Sequence, residues 1–392
     1  MGNTQNQPQS SEGTAQTSGW TTDGITVPEG WPAPEYIINL DADPKDRWKE
    51  IGEVYKTEVK QAMEELKTSK KIPGFVMELV DTFGSELDSL LPQPYSDELR
   101  GLAEVVEIPV GELFLLNLAY DITAHCTGIV AQSTEGKVLH ARNLDMPADP
   151  EFQALLKVSR KMTFTAHFQR GGETVYSGET FAGLIGLATG QKPNSFTINI
   201  NERRTGSMWT NILTLLRDHP GSAVCFLVRD ALADPDINYQ GVLNRMTYIP
   251  MIASCYVIIG GTKPGEGAVI ARDRREAVKP FSNGIWKLDA SGGTWYLLQT
   301  NNDHWTKPPN VEPAGHDDLT KSSYEREVTG NRAMATMGQS NLSPQGLIDV
   351  LSTDPVFNPH TLYTTVMTAA DPALNKSWIR DKPESEPSQD TT

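Results

Sequence analysis

The chain has 392 residues, 38% hydrophobic and 21% charged, enough to bury a sizeable core in one large domain or two to three average ones. Its formal net charge of −16 excludes a nucleic-acid role, which needs clustered Lys and Arg, and opposes stable docking on an anionic membrane at neutral pH. Protonation of carboxylates would relieve that repulsion, so the composition permits an acidic workplace without showing one.

Residues 1–34 are rich in Ser, Thr, Gln, Gly and Pro and predict a disordered extension. Over 45–69 apolar side chains recur at helical spacing: Trp48, Ile51, Val54, Tyr55, Val59, Met63 and Leu66. A second helix is predicted over 73–90, broken by Leu91-Pro92-Gln93-Pro94. A third over 97–107 follows the capping pair Ser96-Asp97, and a fourth covers 110–120. Two strand-like runs then flank the polar turn Ser133-Thr134-Glu135-Gly136 and end at Asp145. After a loop at 146–150, strands are predicted at 161–169, 174–181 and 196–201, and helices at 207–217, 222–232 and 236–247. Further strands follow at 254–260, 267–273 and 294–301, helices at 325–338 and 344–352, a strand at 361–368, and a disordered tail at 381–392. The pattern reads as an α+β protein. A helical region, 35–125, precedes a strand-rich one, 126–380, whose hairpin connections favour antiparallel sheets.

Of the three cysteines, Cys225 and Cys255 lie in apolar runs and read as small buried hydrophobes. There is no CxxC pair and no disulfide framework. The N-terminus lacks a hydrophobic signal core and a myristoylation motif, and no apolar run is long enough to predict a transmembrane helix. Sequons stand at Asn341 and Asn375.

Cys126 stands apart because its hairpin gathers chemistry. A two-residue turn at Glu135-Gly136 would set Cys126 opposite Asp145, and a four-residue turn would set it opposite Asn143. Either register brings the thiol, the Arg142 guanidinium and the Asp145 carboxylate to the open end. A nucleophilic thiol needs a base, a lowered pKa, or both. Arg142 favours the thiolate. His125, the adjacent residue, points to the opposite face. His140 shares the face of Arg142 but lies further from the open end. Cutting the peptide bond before Cys126 supplies the base without histidine. It frees an α-amine of reference pKa roughly 8 on the residue that carries the thiol, with Asp145 placed to orient its ammonium form. The plain alternative is a structural cysteine beside an ordinary surface Arg–Asp pair.

Cys126-Thr127-Gly128-Ile129-Val130-Ala131 with Arg142-Asn143-Leu144-Asp145 resembles the acid ceramidase and N-acylethanolamine-hydrolysing acid amidase family. Its pattern is C-T-x-I-V-A followed by G-R-N-x-D, and Ala141 stands where Gly is usual. The resemblance extends in collinear order over about 34–380. It runs through Leu91-Pro92-Gln93-Pro94-Tyr95, Leu115-Leu116-Asn117-Leu118-Ala119-Tyr120, Thr189-Gly190-Gln191-Lys192-Pro193 and Asn201-Glu202-Arg203. Beyond these come Gly260-Gly261-Thr262, Arg272-Asp273-Arg274, Thr300-Asn301-Asn302-Asp303-His304-Trp305, Leu351-Ser352-Thr353 and Tyr363-Thr364-Thr365-Val366-Met367.

This resemblance implies the αββα sandwich of N-terminal nucleophile hydrolases. It implies an inactive precursor that cuts itself at His125–Cys126 into an α-subunit of 1–125 and a β-subunit of 126–392. The two stay together as a heterodimer and hydrolyse lipid amides, usually in lysosomes. Residue by residue, Cys126 supplies thiol and amine, Asp145 lies near the amine, and Arg142 positions and polarises the centre. Asn301 helps bind the oxyanion, and Glu202 acts through hydrogen bonds. Asn302 replaces a family Tyr. Arg326 corresponds to a family arginine, although Tyr324-Glu325-Arg326-Glu327 stands where Asp-Asp-Arg-Arg is usual. The plain alternatives are a surface pair of Glu202 with Arg203 and an exposed helix charge at Arg326. Asp303 and His304 read as structural neighbours of Asn301.

Met146, Phe181, Leu184 and Ile185 are candidates for an acyl-chain channel, with core packing as the alternative. The apolar faces of the early helices offer a peripheral membrane contact, although core burial is the commoner use of such a face. No metal or organic cofactor is called for, since no His/Cys cluster has ligand spacing. Within the family, Leu-Pro-Gln-Pro, Thr-Gly-Gln and Tyr-Thr-Thr-Val-Met lean to N-acylethanolamines. Asn201-Glu202-Arg203 and Arg272-Asp273-Arg274 occur much as in acid ceramidase, while the scarcity of cysteines favours the amidase. A non-catalytic lipid-binding homologue is the reading from another class, and the retained Cys126, Arg142, Asp145 and Asn301 argue against it.

Overall fold

The computed structural model describes residues 24–69, 74–123, 125–203, 223–278, 284–306 and 318–383. The predicted helix at 207–217, and most of both predicted disordered extensions, lie outside the described residues.

The N-terminal region begins with strands β1 (Gly30–Pro32) and β2 (Glu35–Asn39). Helices follow: α1 (Lys49–Val54), α2 (Lys56–Thr68), α3 (Gly74–Glu78), α4 (Val80–Ser85), α5 (Leu87–Leu90), α6 (Tyr95–Val106) and α7 (Val110–Thr123). The helices predicted over 45–69 and 73–90 are therefore segmented. Tyr55 and Glu86 leave helical geometry at their joints, while Leu79, between α3 and α4, stays in the right-handed helical region. Tyr55 uses its break to stack on Phe164 and meet the Tyr36 hydroxyl. α2 buries Val59, Ala62, Met63 and Leu66, a stripe at helical spacing.

The rest of the chain forms β3 (His125–Gln132), β4 (Val138–Asp145), α8 (Gln153–Met162), β5 (Thr163–Arg170), β6 (Glu173–Phe181), β7 (Thr189–Lys192) and β8 (Phe196–Glu202). Then come α9 (Val224–Ala233), α10 (Tyr239–Tyr248), β9 (Cys255–Gly260), β10 (Gly267–Arg272), β11 (Ile285–Lys287) and β12 (Tyr296–Gln299). The last elements are α11 (Asp318–Met337), α12 (Pro344–Leu351), β13 (Thr361–Met367) and β14 (Asn375–Arg380). One sheet has the order β1-β14-β13-β4-β3-β12 and the other β11-β10-β9-β8-β7-β6-β5-β2. The pairings are antiparallel apart from β2 against β5, which is parallel.

The sheets pack face to face and helices cover their outer faces, giving the αββα fold. Strand alternation assigns the layers. Val130 and Leu297 point inward onto Tyr256, Ile258 and Val269. Ile129, Ala131, Leu139 and Ala141 point outward under Met334 of α11 and Leu347, Ile348 and Leu351 of α12.

Neither expected hairpin register occurs. Gln132 pairs with Val138, so Cys126 lies opposite Leu144 and His125 opposite Asp145. The loop between the strands holds an odd number of residues, 133–137. Ser133 N–H bonds to Lys137 O, the Ser133 hydroxyl accepts from the Glu135 and Lys137 N–H groups, and Gly136 takes φ +83°. A one-residue slip exchanges the faces of every side chain. Both expected registers would have put Arg142 on the face away from Cys126. The observed one puts Cys126 and Arg142 together between the sheets and turns Asp145 to the other side.

The N-terminal region, expected to be helical, thus adds an edge strand to each sheet, and β1 lies within the stretch predicted to be disordered. Both strands are short, and β1 is only Gly-Trp-Pro. Helix α8 and strands β7, β11 and β14 also lack counterparts among the predicted elements. The tail region starts tethered: Asp381 N–H bonds to Glu29 O and Lys382 Nζ to Phe357 O. Of the sequon residues, Asn341 is exposed, whereas Asn375 is buried with its amide donating to Ser177 Oγ at 2.8 Å.

Candidate active site

The Cys126 side chain is fully buried between the sheets. Arg142, two residues before the cross-strand neighbour Leu144, donates from Nη2 to the sulfur at 2.6 Å. The Asp145 backbone N–H favours the thiolate as well. Arg142 is itself aimed from the second sheet, where Nη1 reaches Ala188 O at 3.0 Å and Thr189 Oγ1 at 2.7 Å. Burial pushes the thiol pKa up, and the charge of Arg142 pulls it back.

The main chain of Cys126 is held as tightly. Its N–H donates to Asn301 Oδ1 at 3.0 Å, and its carbonyl accepts from Arg326 Nη1 at 2.8 Å and Asn201 Nδ2 at 3.5 Å. Arg326 also donates to Thr127 Oγ1 at 2.9 Å and Asn301 Oδ1 at 2.8 Å, and stands 3.8 Å from Asp145 Oδ2. Asn301 Nδ2 donates to the Glu202 carbonyl at 2.9 Å. Arg326 is buried, so the exposed-charge alternative does not hold. Neither does the Glu202–Arg203 surface pair as imagined, because the Arg203 guanidinium is spent on Asp303 and Asp273. The structure therefore brings Cys126, Arg142, Asp145, Asn301, Glu202 and Arg326 into one connected cluster, with Glu202 joined to Asn301 through its carbonyl.

Asp145 closes β4. Asn358 Nδ2 reaches its Oδ2 at 3.2 Å, while Oδ1, also buried, has no hydrogen-bond partner among the described residues. Burial raises its carboxyl pKa, and Arg326 offsets this only in part. In this uncut chain the Cys126 N–H meets Asn301 rather than Asp145, because the register turns the carboxylate to the other side of β4.

Beside this cluster lies a largely apolar pocket whose polar lining residues are Asp145 and Ser159. Ala62, Leu66 and Leu116 form its wall on the side preceding Cys126. Leu144, the cross-strand neighbour of Cys126, lines it from the other side with Met146, Phe181 and Leu184. Of the channel candidates, Ile185 alone is not in the lining. It is fully buried in the core.

Residues 126–336 match the family described as linear amide C–N hydrolases, choloylglycine hydrolase family. Residues 32–91 match the one described as the beta subunit of N-acylethanolamine-hydrolyzing acid amidase, which is the segment the expected nomenclature would place in an α-subunit. N-acylethanolamine-hydrolyzing acid amidase of Mus musculus is 35% identical over 349 residues, covering 89% of each chain. Acid ceramidase of Homo sapiens is 31% identical over 383 residues, covering 93% of this chain and 92% of its own. The chain belongs to this family of linear amide hydrolases. A solved structure of the Caenorhabditis elegans ortholog of N-acylethanolamine-hydrolyzing acid amidase superposes with a TM-score of 0.53 at 28% identity, covering 65% of this chain and 99% of that one.

Within this amidohydrolase some partners had no role assigned from sequence. Thr189 and Asn201 sat inside quoted motifs, and their spacing gave no reason to aim them at Arg142 and Cys126. Asn358 comes from a loop with no motif at all. His140 is fully buried between Thr197 and Asn199, and burial depresses its pKa to about 4, so it is a neutral hydrogen-bonding residue. Asp303 and His304 take the structural places expected of them. Asp303 accepts from Arg203 and Tyr256, and His304 bonds to Gln299 Oε1 and stacks on Trp286.

Proposed function

We propose that the chain is the precursor of a lipid amidase. It cuts itself at His125–Cys126 and then hydrolyses N-acylethanolamines to a free fatty acid and ethanolamine through a thioester on Cys126. The observation that carries this reading is an arginine-held thiol whose cross-strand neighbour, Leu144, lines an apolar pocket. Relatives named as the amidase stand at 35–36% identity and those named as acid ceramidase at 31–32%.

In the cleaved form the α-amine of Cys126 takes the thiol proton, and Arg142 stabilises the thiolate as it attacks the amide carbonyl. The Asn301 amide N–H leaves the Glu202 carbonyl for the oxyanion. The protonated amine then gives its proton to the departing ethanolamine. Water hydrolyses the thioester, releases the fatty acid and restores the thiol. Asp145 Oδ1 is a buried acceptor without a partner among the described residues, a state costing about 1–3 kcal/mol that pairing with the new ammonium would relieve. Both fragments line the pocket, so they stay together after cleavage. Work at acidic pH, in a lysosomal setting with peripheral contact to membranes that hold the substrate, fits the resemblance and the net charge of −16.

The test is a denaturing gel after incubation at about pH 4.5, near carboxylate pKa values, followed by parallel assays on a saturated N-acylethanolamine and a ceramide. Two fragments, lost in Cys126→Ala, with the N-acylethanolamine turned over faster, are expected. An uncut chain without lipid-amide turnover would refute the hydrolase, and faster ceramide turnover would reassign it as a ceramidase.

A further inference from the structure

We propose that Asn117, on the N-terminal side of the cleavage point, is a positioning residue that fixes one wall of the acyl pocket and thereby sets the chain length accepted. The inference rests on the reading above that this pocket takes the acyl chain.

Between β6 and β7 the chain runs through a buried loop at 182–188, whose backbone polar groups need partners. Asn117 supplies two of them. Its Nδ2 donates to Gly183 O at 2.9 Å, and its Oδ1 accepts from Ile185 N–H at 3.0 Å. The second N–H of the amide goes to Leu113 O at 2.9 Å within its own helix. These bonds bracket Leu184, whose side chain lines the pocket. Gly183 has φ +96°, and a Cβ there would press within 3.1 Å of Leu116 and 3.2 Å of Val59. The loop is therefore seated on α2 and α7, both upstream of the cleavage point.

The far end of the loop leads to the thiol. Ile185 O accepts from Arg229 Nη1 at 2.9 Å, and Arg229 is held by the buried carboxylate of Glu98. Ala188 O and Thr189 Oγ1 then aim Arg142 at the Cys126 sulfur. A carboxamide, with donor and acceptor on one carbon, satisfies both loop groups, whereas aspartate keeps only the acceptor and leucine keeps neither. The gauge of chain length is thus carried on the fragment that does not bear the nucleophile.

The experiment compares the self-cleaved parent with Asn117→Asp and Asn117→Leu, each checked for processing on a denaturing gel. Turnover is measured on saturated N-acylethanolamines from octanoyl to stearoyl. Binding of the matching fatty acids is measured by displacement of anilinonaphthalene sulfonate. The expected result is a change of roughly tenfold in the ratio of kcat/KM between long and short chains, the scale of a mis-sized apolar pocket. It is carried mainly by KM, larger for Leu than for Asp, with the same reordering of fatty-acid affinities. A common factor at every chain length, or a lower Tm with an unchanged profile, overturns the proposal. If the parent turns over no lipid amide, the reading of the reaction fails, and the fatty-acid profile still decides the role of Asn117.

Discussion

The two sides of Cys126 are held by different physics. On one side, Arg142, Arg326, Asn301 and Asn201 fix the sulfur, the N–H and the carbonyl with directional bonds, and the two arginines carry charge. On the other, the pocket is built mostly from Leu, Met, Phe and Ala side chains that touch without direction, with Asp145 and Ser159 as its polar members. Charge-assisted bonds in a buried site act as a unit, and losing one strands its partners. Apolar walls respond to volume, a few methylenes at a time. The cage should therefore fail abruptly and the pocket should tune gradually.

The largest effect is expected at Arg326, whose guanidinium bridges Cys126 O, Thr127 Oγ1 and Asn301 Oδ1. Arg326→Gln should lower kcat by roughly 10²–10³, the scale of losing a preorganised donor. Arg326→Lys should recover only part of this, because an ammonium keeps the charge and lacks the planar fork. Steady-state kinetics on the processed enzyme, beside thermal melts, provides the check. A loss of threefold or less in Arg326→Gln would show that the cage does not place the nucleophile.

The pocket should behave differently. Leu66 lines it from the N-terminal side and is 3% exposed. Leu66→Phe should shorten the cavity and shift preference toward shorter acyl chains by roughly tenfold in relative kcat/KM, at a stability cost of about 1–3 kcal/mol. Its rate on short chains should hold. An unchanged chain-length profile would mean that the acyl chain lies elsewhere, and an equal fall for all chains would erase the contrast with the cage.

The same contrast explains what could be read beforehand. Cys126, Arg142 and Asp145 stand out because charged residues near a cysteine in an apolar hairpin are chemically conspicuous. Their mutual geometry was not legible, because the odd loop at 133–137 inverts which side chains share a face. Arg326 was ambiguous because its segment, Tyr-Glu-Arg-Glu, looks like a surface helix, and only the packing of α11 shows it to be buried. β1 and β2 were invisible because short edge strands carry little periodicity and draw their stability from partners far along the chain, β14 and β5. Asn117 was quoted only as a motif letter. Its partners lie on a loop 66 and 68 residues away, and no local pattern encodes that distance.

A buried carboxylate outside the cage offers the smallest and most quantitative contrast. Asp145 has Arg326 beside it, whereas Glu179, fully enclosed on β6, accepts from the neutral Ser377 hydroxyl through Oε1, and its Oε2 is unpaired among the described residues. Burial raises the Glu179 pKa from an ordinary 4.5 to about 7. Between those values the folded state keeps a proton that the unfolded chain gives up. Stability from this group is therefore complete below about pH 4.5 and is lost as pH rises to about 7. The size is on the order of 3 kcal/mol. His140 and His304, both depressed to about 4, act in the opposite sense, losing stability as pH falls below 6.5. Glu179→Gln removes the carboxyl titration and leaves both histidines in place, so the difference between variant and parent isolates it. Denaturant melts across this range should show the variant gaining on the parent as pH rises and levelling off above about 7. A difference independent of pH would mean that Glu179 is ionised and compensated in the fold.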